Sequence, residues 1–123
     1  TYTNPVGTSA PALIDIEGFS TGSNLEMFQA TFGGDRDYYD AAGPWSLAAK
    51  NAAEVKKQSI RIICGDKDGL FPRAQFLNGV LNQLGIAHEF IPVAGSPHNH
   101  DQLLQFQTFD TMEFYGKVFA RFK

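Results

Sequence analysis

Cysteine is nearly missing from these 123 residues: Cys64 stands alone, so neither a disulfide framework nor a cysteine-based zinc site can form within the chain. Long hydrophobic runs are missing too, and none approaches the roughly 18–20 residues that a bilayer-spanning helix needs. No basic stretch followed by an apolar core opens the sequence, so no signal peptide is expected there. Basic residues are the minority, 10 against 13 acidic, and they are scattered. With a net charge of −3, neither a nucleic acid nor a membrane surface is the expected partner. Repeats and low-complexity tracts are absent. What is abundant is apolar: 43% of residues are hydrophobic and 13% aromatic, a composition that excludes disorder and predicts one domain at most with extensive burial.

Residues 1–22 are rich in Thr, Ser, Gly and Pro and read as loop, with one short apolar run at 12–16. Leu25, Phe28 and Phe32 have helical spacing, which predicts a short helix over 24–32 ended by Gly33 and Gly34. A polar, turn-rich stretch follows at 35–44. Residues 1–44 are thus expected to form a loop-rich lid or excursion, and 45–123 to carry the regular structure. A helix is predicted over 45–56, with Leu47, Ala48, Asn51, Ala52 and Val55 on one face. The β-branched run at 59–64 is the best strand. A helix over 73–84 follows, with Phe76, Leu77, Val80, Leu81 and Leu84 on one face, and Gly85 as its left-handed terminator. Residues 88–93 read as a second strand, and 102–122 as a last helix whose aromatic stripe (Phe106, Phe109, Met112, Tyr115, Phe119, Phe122) is expected to be core. Alternation of helices and strands from residue 45 predicts an α/β fold with parallel strands. Two strands are too few for a stable parallel sheet, which is normally wider and covered on both faces. The sheet is therefore expected to be completed by residues outside this chain, in a separate or missing N-terminal part.

Chemistry in open α/β sheets sits at the carboxyl ends of the strands. The first strand runs into Gly65-Asp66-Lys67-Asp68, the second into Gly95-Ser96-Pro97-His98-Asn99-His100. If the strands are parallel neighbours, both loops emerge on one edge and bring an Asp beside a His. A carboxylate on one imidazole nitrogen fixes tautomer and orientation, and the other nitrogen can then take a serine proton. The order Asp before His is that of the α/β-hydrolase triad, in which the serine comes earlier.

Together with Phe32-Gly33-Gly34-Asp35, Gly43-Pro44-Trp45-Ser46-Leu47, Ile60-Arg61-Ile62-Ile63-Cys64 and Leu84-Gly85-Ile86-Ala87-His88-Glu89-Phe90, these loops resemble the C-terminal part of the esterase D and feruloyl-esterase-like branch of the α/β-hydrolases. The resemblance spans roughly residues 28–122 and makes 45–123 the C-terminal strand–helix half of such a domain. It implies Asp68 as the triad acid and His98 as the base, with Pro97-His98 standing where the family has Gly-His. It implies hydrolysis of a small-molecule carboxylic ester, such as a feruloyl, other aryl or acetyl ester, without metal or organic cofactor. Secretion would fit polysaccharide-linked esters.

Other residues compete for these roles. Asp66 is a second carboxylate on the same loop and reads as a turn residue. Asp68 itself has a bland role available, capping the helix near Arg73. His100 is suited to starting the last helix, and His88 to a structural place at a strand start. The pair His98 and His100 has no further His or Cys cluster to support a metal site. Gly18-Phe19-Ser20-Thr21-Gly22 matches the nucleophile-elbow pattern, but only 19 residues precede Ser20 and no strand-like run lies in 33–58. The nucleophile is accordingly expected outside this chain. Thr1 has nothing beside it to support an N-terminal nucleophile. Tyr38, Tyr39 and Trp45 are candidates to line an aryl-binding pocket, with packing as the plainer role. Two rivals remain: a non-catalytic binding module derived from the same fold, and an acyltransferase using the same triad.

Overall fold

The computed structural model describes residues 22–122, and all their side chains except those of 22–24, 104 and 106–109. Eight elements follow in order: α1 (Gly22–Phe32), α2 (Arg36–Ala42), α3 (Pro44–Lys50), α4 (Ala52–Val55), β1 (Arg61–Gly65), α5 (Phe71–Gln83), β2 (Glu89–Val93) and α6 (His100–Ala120). The architecture of the described residues is mixed helix and strand around a two-stranded parallel sheet. Ser20, Thr1 and the apolar run at 12–16 lie outside the described residues.

β1 and β2 pair in parallel register from Arg61↔Glu89 to Gly65↔Val93, with α5 as the crossover. The Glu89 amide donates to Ile60 O and the Asp66 amide to Val93 O. Odd-numbered residues of β2 therefore face β1, and Phe90 and Pro92 turn their backbone nitrogens outward. Pro92 has no N–H to offer there, which marks the far side of β2 as a sheet edge.

Side chains alternate across a strand. Ile62 and Cys64 enter a buried cluster with Ala74, Leu77 and Leu81 of α5, Ala48 of α3, and Ile86. Arg61 points the other way. Its guanidinium donates to Glu89 Oε2 (3.0 Å) and to the Asp110 carbonyl of α6 (2.9 Å), and lies over the Phe114 ring. Helix α5 thus covers one face of the sheet and α6 the other.

Several expectations are corrected. Residues 35–44 were expected to be turns, but Asp35 accepts the Tyr38 amide as an N-cap and nucleates α2, which stops at Gly43. The single helix over 45–56 is two: α3 ends at Asn51, whose own side chain donates back to Leu47 O. Leu47 is exposed while Ala48 is buried, so the predicted apolar face of that helix is rotated away from Leu47. Phe76 likewise stays half-exposed and rests its ring edge on Trp45. Gly85 (φ +64°) ends α5 as expected, with the Ile86 amide reaching Leu81 O and the Ile86 side chain buried.

The aromatic stripe of α6 is not core along its length: Met112, Phe119 and Phe122 are exposed, and the Phe106 and Phe109 side chains fall outside the description. Met112 sits between Asp110 and Phe114, which meet Arg61, and turns away from the sheet; for Phe119 and Phe122 the reason is one of length. A helix of 21 residues runs about 30 Å at ~1.5 Å per residue. The five-residue strands beneath it reach only about 17 Å at ~3.3 Å per residue.

Candidate active site

The last registered pair, Gly65↔Val93, sends both chains out at the same sheet edge. Asp68 lies on the first loop and His98 on the second. His98 Nδ1 stands 2.8 Å from Asp68 Oδ2. An ionised carboxylate only accepts, so Nδ1 carries the hydrogen and donates, and Nε2 keeps its lone pair for a second partner. The Asp68 side chain is 7% exposed and that of His98 is 68% exposed. The acid is therefore sunk in the protein and the imidazole stands over it, open to an incoming group.

Asp68 has a further partner. Its Oδ1 accepts the Leu70 amide at 2.8 Å, so the bland role of ordering the turn before α5 is fulfilled by one oxygen while the other meets His98. Burial, followed by the nearby Asp68 carboxylate, pushes the Cys64 thiol up to about 11. A thiol so placed is a poor source of thiolate, which removes Cys64 as a nucleophile.

The two loops are locked together behind this pair. The Lys67 amide donates to Ser96 O at 3.1 Å, and the Gly95 amide donates to Asp66 Oδ1 at 2.8 Å. Ser96 is 1% exposed. A Cβ on Gly65 would come within 2.0 Å of the Ser96 carbonyl oxygen, so the approach of the loops requires glycine there. Gly95 adopts φ +74°, the left-handed turn that swings the chain back toward His98. Asn99 caps α6 by accepting the Gln102 amide, and His100 opens that helix.

Beside the pair lies a cleft of about 290 Å³, lined by Ile62, Ile63, Cys64, Leu70, Leu103 and His98 among others. Three consecutive residues of β1 cannot share one face. A cleft touching all three runs along the edge of β1 that is not paired to β2, with the Asp68–His98 pair at its carboxyl end.

Of the sequence candidates, Asp68 and His98 meet. Asp66 turns instead to Gly95, and His88 bridges Ile86 O (2.8 Å) and Asn78 Oδ1 (2.7 Å), tying the start of β2 to α5. His100 lines the cleft. Tyr38, Tyr39 and Trp45 do not line it. Tyr39 is buried against Phe28 and Phe32, Trp45 packs on Tyr39, and Tyr38 is exposed beside Phe32. The polar stretch folds as a helix and docks Tyr38 and Tyr39 on α1, and Trp45 of α3 packs between Tyr39 and Phe76, which turns all three away from the cleft. Sequence reasoning missed the Gly65–Ser96 approach and the Asp66 bond; the visible signal was a Gly-Asp pair straight after a strand. No family model, curated protein or solved structure matches the chain.

Proposed function

We propose that this chain supplies the acid and the base of a serine-dependent hydrolase of carboxylic esters. Asp68 orients His98, and a serine outside the described residues is the nucleophile. The observation that carries the reading is the 2.8 Å bond from the exposed His98 imidazole to the buried Asp68 carboxylate. Among the described residues no serine hydroxyl bonds to His98; Ser96 is buried and donates to Pro97 O. The open edge of β1 supports an α/β-hydrolase sheet continued there by further strands, with β2 as its outer strand. The apolar cleft along that edge, ending at His98, agrees with an uncharged acyl or aryl group held beside the base.

In this reading Nε2 removes the serine proton as the serine oxygen attacks the ester carbonyl. The imidazolium then protonates the departing alkoxide, leaving an acyl-enzyme. Water enters, gives a proton to Nε2 and attacks the acyl carbonyl; the imidazolium returns that proton to the serine oxygen as the acid departs. An alcohol acceptor in place of water makes the same site an acyltransferase, and product analysis with added acceptor separates the two.

The test uses the full protein that carries this chain, assayed on 4-nitrophenyl acetate and an aryl ester such as methyl ferulate. Asp68→Asn and His98→Ala are each expected to lower kcat roughly 10²–10⁴-fold, the range of general acid–base catalysis. Labelling of a serine by a fluorophosphonate should fall in parallel. Unchanged turnover in both variants would sink the assignment.

A further inference from the structure

We propose that Asp66 is a positioning residue, whose carboxylate holds the His98 loop at the separation that the Asp68–His98 bond needs. The inference rests on the acid–base reading of those two residues.

Beyond Gly65↔Val93 the ladder has ended, yet the loops must stay in step until Asp68 and His98 meet. Three hydrogen bonds span this interval. The Asp66 amide donates to Val93 O (3.0 Å) and the Lys67 amide to Ser96 O (3.1 Å). Both are backbone bonds that almost any residue could make. The third runs from the Gly95 amide to Asp66 Oδ1 at 2.8 Å, and it alone of the three depends on a side chain. It engages the His98 loop where direction changes, at the left-handed Gly95. Gly95 lies three positions before His98, and Asp66 two before Asp68. The carboxylate thus sits behind the pair and ties one loop to the other without touching the imidazole.

Position also explains why Asp66 is not the acid. Its Oδ1 is engaged by Gly95, while His98 Nδ1 is engaged by Asp68. What Asp66 must supply is a short-armed acceptor oxygen. Asparagine keeps that oxygen, alanine removes it, and glutamate keeps the charge but moves the oxygen by one methylene. Geometry and charge are therefore separable by substitution.

The experiment measures Asp66→Ala, Asp66→Asn and Asp66→Glu in the full protein, with His98→Ala as control, by two readouts. Ester hydrolysis should show kcat reduced roughly 10- to 100-fold in Asp66→Ala at nearly constant KM, the scale on which a displacement of about 1 Å acts, with Asp66→Asn close to wild type. Proton NMR should show the His98 Nδ1–H resonance broadened or moved upfield in Asp66→Ala and retained in Asp66→Asn. If Asp66→Ala does not fold, Asp66→Glu carries the same expectation, because its oxygen is displaced with the charge kept. Wild-type kcat and an unmoved Nδ1–H signal in Asp66→Ala, or in Asp66→Glu where alanine does not fold, would overturn the proposal. Loss in the asparagine variant equal to that in alanine would overturn it too. The parent reading fails differently: there His98→Ala leaves turnover intact, and the NMR signal alone decides the role of Asp66.

Discussion

Replacing Gly65 with alanine puts a Cβ 2.0 Å from the Ser96 carbonyl oxygen and 2.7 Å from its carbonyl carbon. Real Cβ atoms essentially never come closer than 3.0 Å, so one loop must retreat by about 1 Å. The obstacle is backbone and cannot be relieved by a rotamer change. The yielding side is expected to be the His98 loop, because Gly65 is anchored in the ladder and Ser96 lies beyond it. A retreat of that size, passed on to His98, lengthens its 2.8 Å bond to Asp68 to nearly 4 Å, where no hydrogen bond survives. Overpacking of this kind costs about 1–3 kcal/mol of stability. Under the acid–base reading it also removes the fixed tautomer of the base, for a loss approaching the ~10²–10⁴-fold of general-base deletion. Thermal unfolding followed by circular dichroism gives the first quantity, and kcat on 4-nitrophenyl acetate the second. A Gly65→Ala protein with wild-type melting temperature and wild-type kcat would refute the reasoning, since the loops would then have spare room between them.

Two further outcomes concern the core under the site. Leu81 is 3% exposed in the cluster shared by β1 and α5; Leu81→Ala should cost about 2–5 kcal/mol, read from urea denaturation midpoints. Cys64 has its pKa raised from 9.0 to about 11, so the thiol should resist Ellman's reagent at pH 8 in the native protein and react at once in urea. A raised folded-state value means that this contribution to stability is complete below about pH 9 and is lost as pH climbs toward 11. Alkaline unfolding should therefore be less steep in Cys64→Ala.

The elements legible in the sequence were those whose signals are local. The β-branched run before Gly65, the Leu77 and Leu81 spacing and the Gly85 terminator each act within a few residues, and each appears where expected. The edge-to-edge arrival of Asp68 and His98 followed from one topological rule, that parallel neighbours release their loops together. What escaped was set by encounters across the chain. Nothing local tells that Asp66 will meet the Gly95 amide, or that Ser96 will press on Gly65. Helix α2 in the polar stretch escaped for another reason: Tyr38 and Tyr39 are weak helix formers, and the cap at Asp35 together with packing on Phe28 and Phe32 overrides that preference. The end of the α6 stripe was misjudged because helical spacing reports a shared face and says nothing about how far the surface beneath extends.

A buried carboxylate bonded to a histidine has a structural use as well as a catalytic one, and the distribution of burial separates them. A pair that braces the fold shows itself when one partner is removed, and the loss is greatest where both are buried, because a buried charge is then left uncompensated. Here the imidazole is 68% exposed, and an ion pair or hydrogen bond on such a side chain contributes about 0–1 kcal/mol. Asp68, meanwhile, does not depend on His98 alone for its satisfaction, because the Leu70 amide also donates to it. Removing the imidazole strands no buried charge without partners. His98→Ala should then leave the melting temperature nearly unchanged, whereas Asp68→Ala, which orphans the Leu70 amide and opens a buried site, should lower it by an amount worth about 1–3 kcal/mol. The catalytic reading requires that both variants lose turnover alike despite this difference in stability. A parallel loss of stability in both, with turnover falling only as far as the folded fraction falls, would make the pair a structural brace.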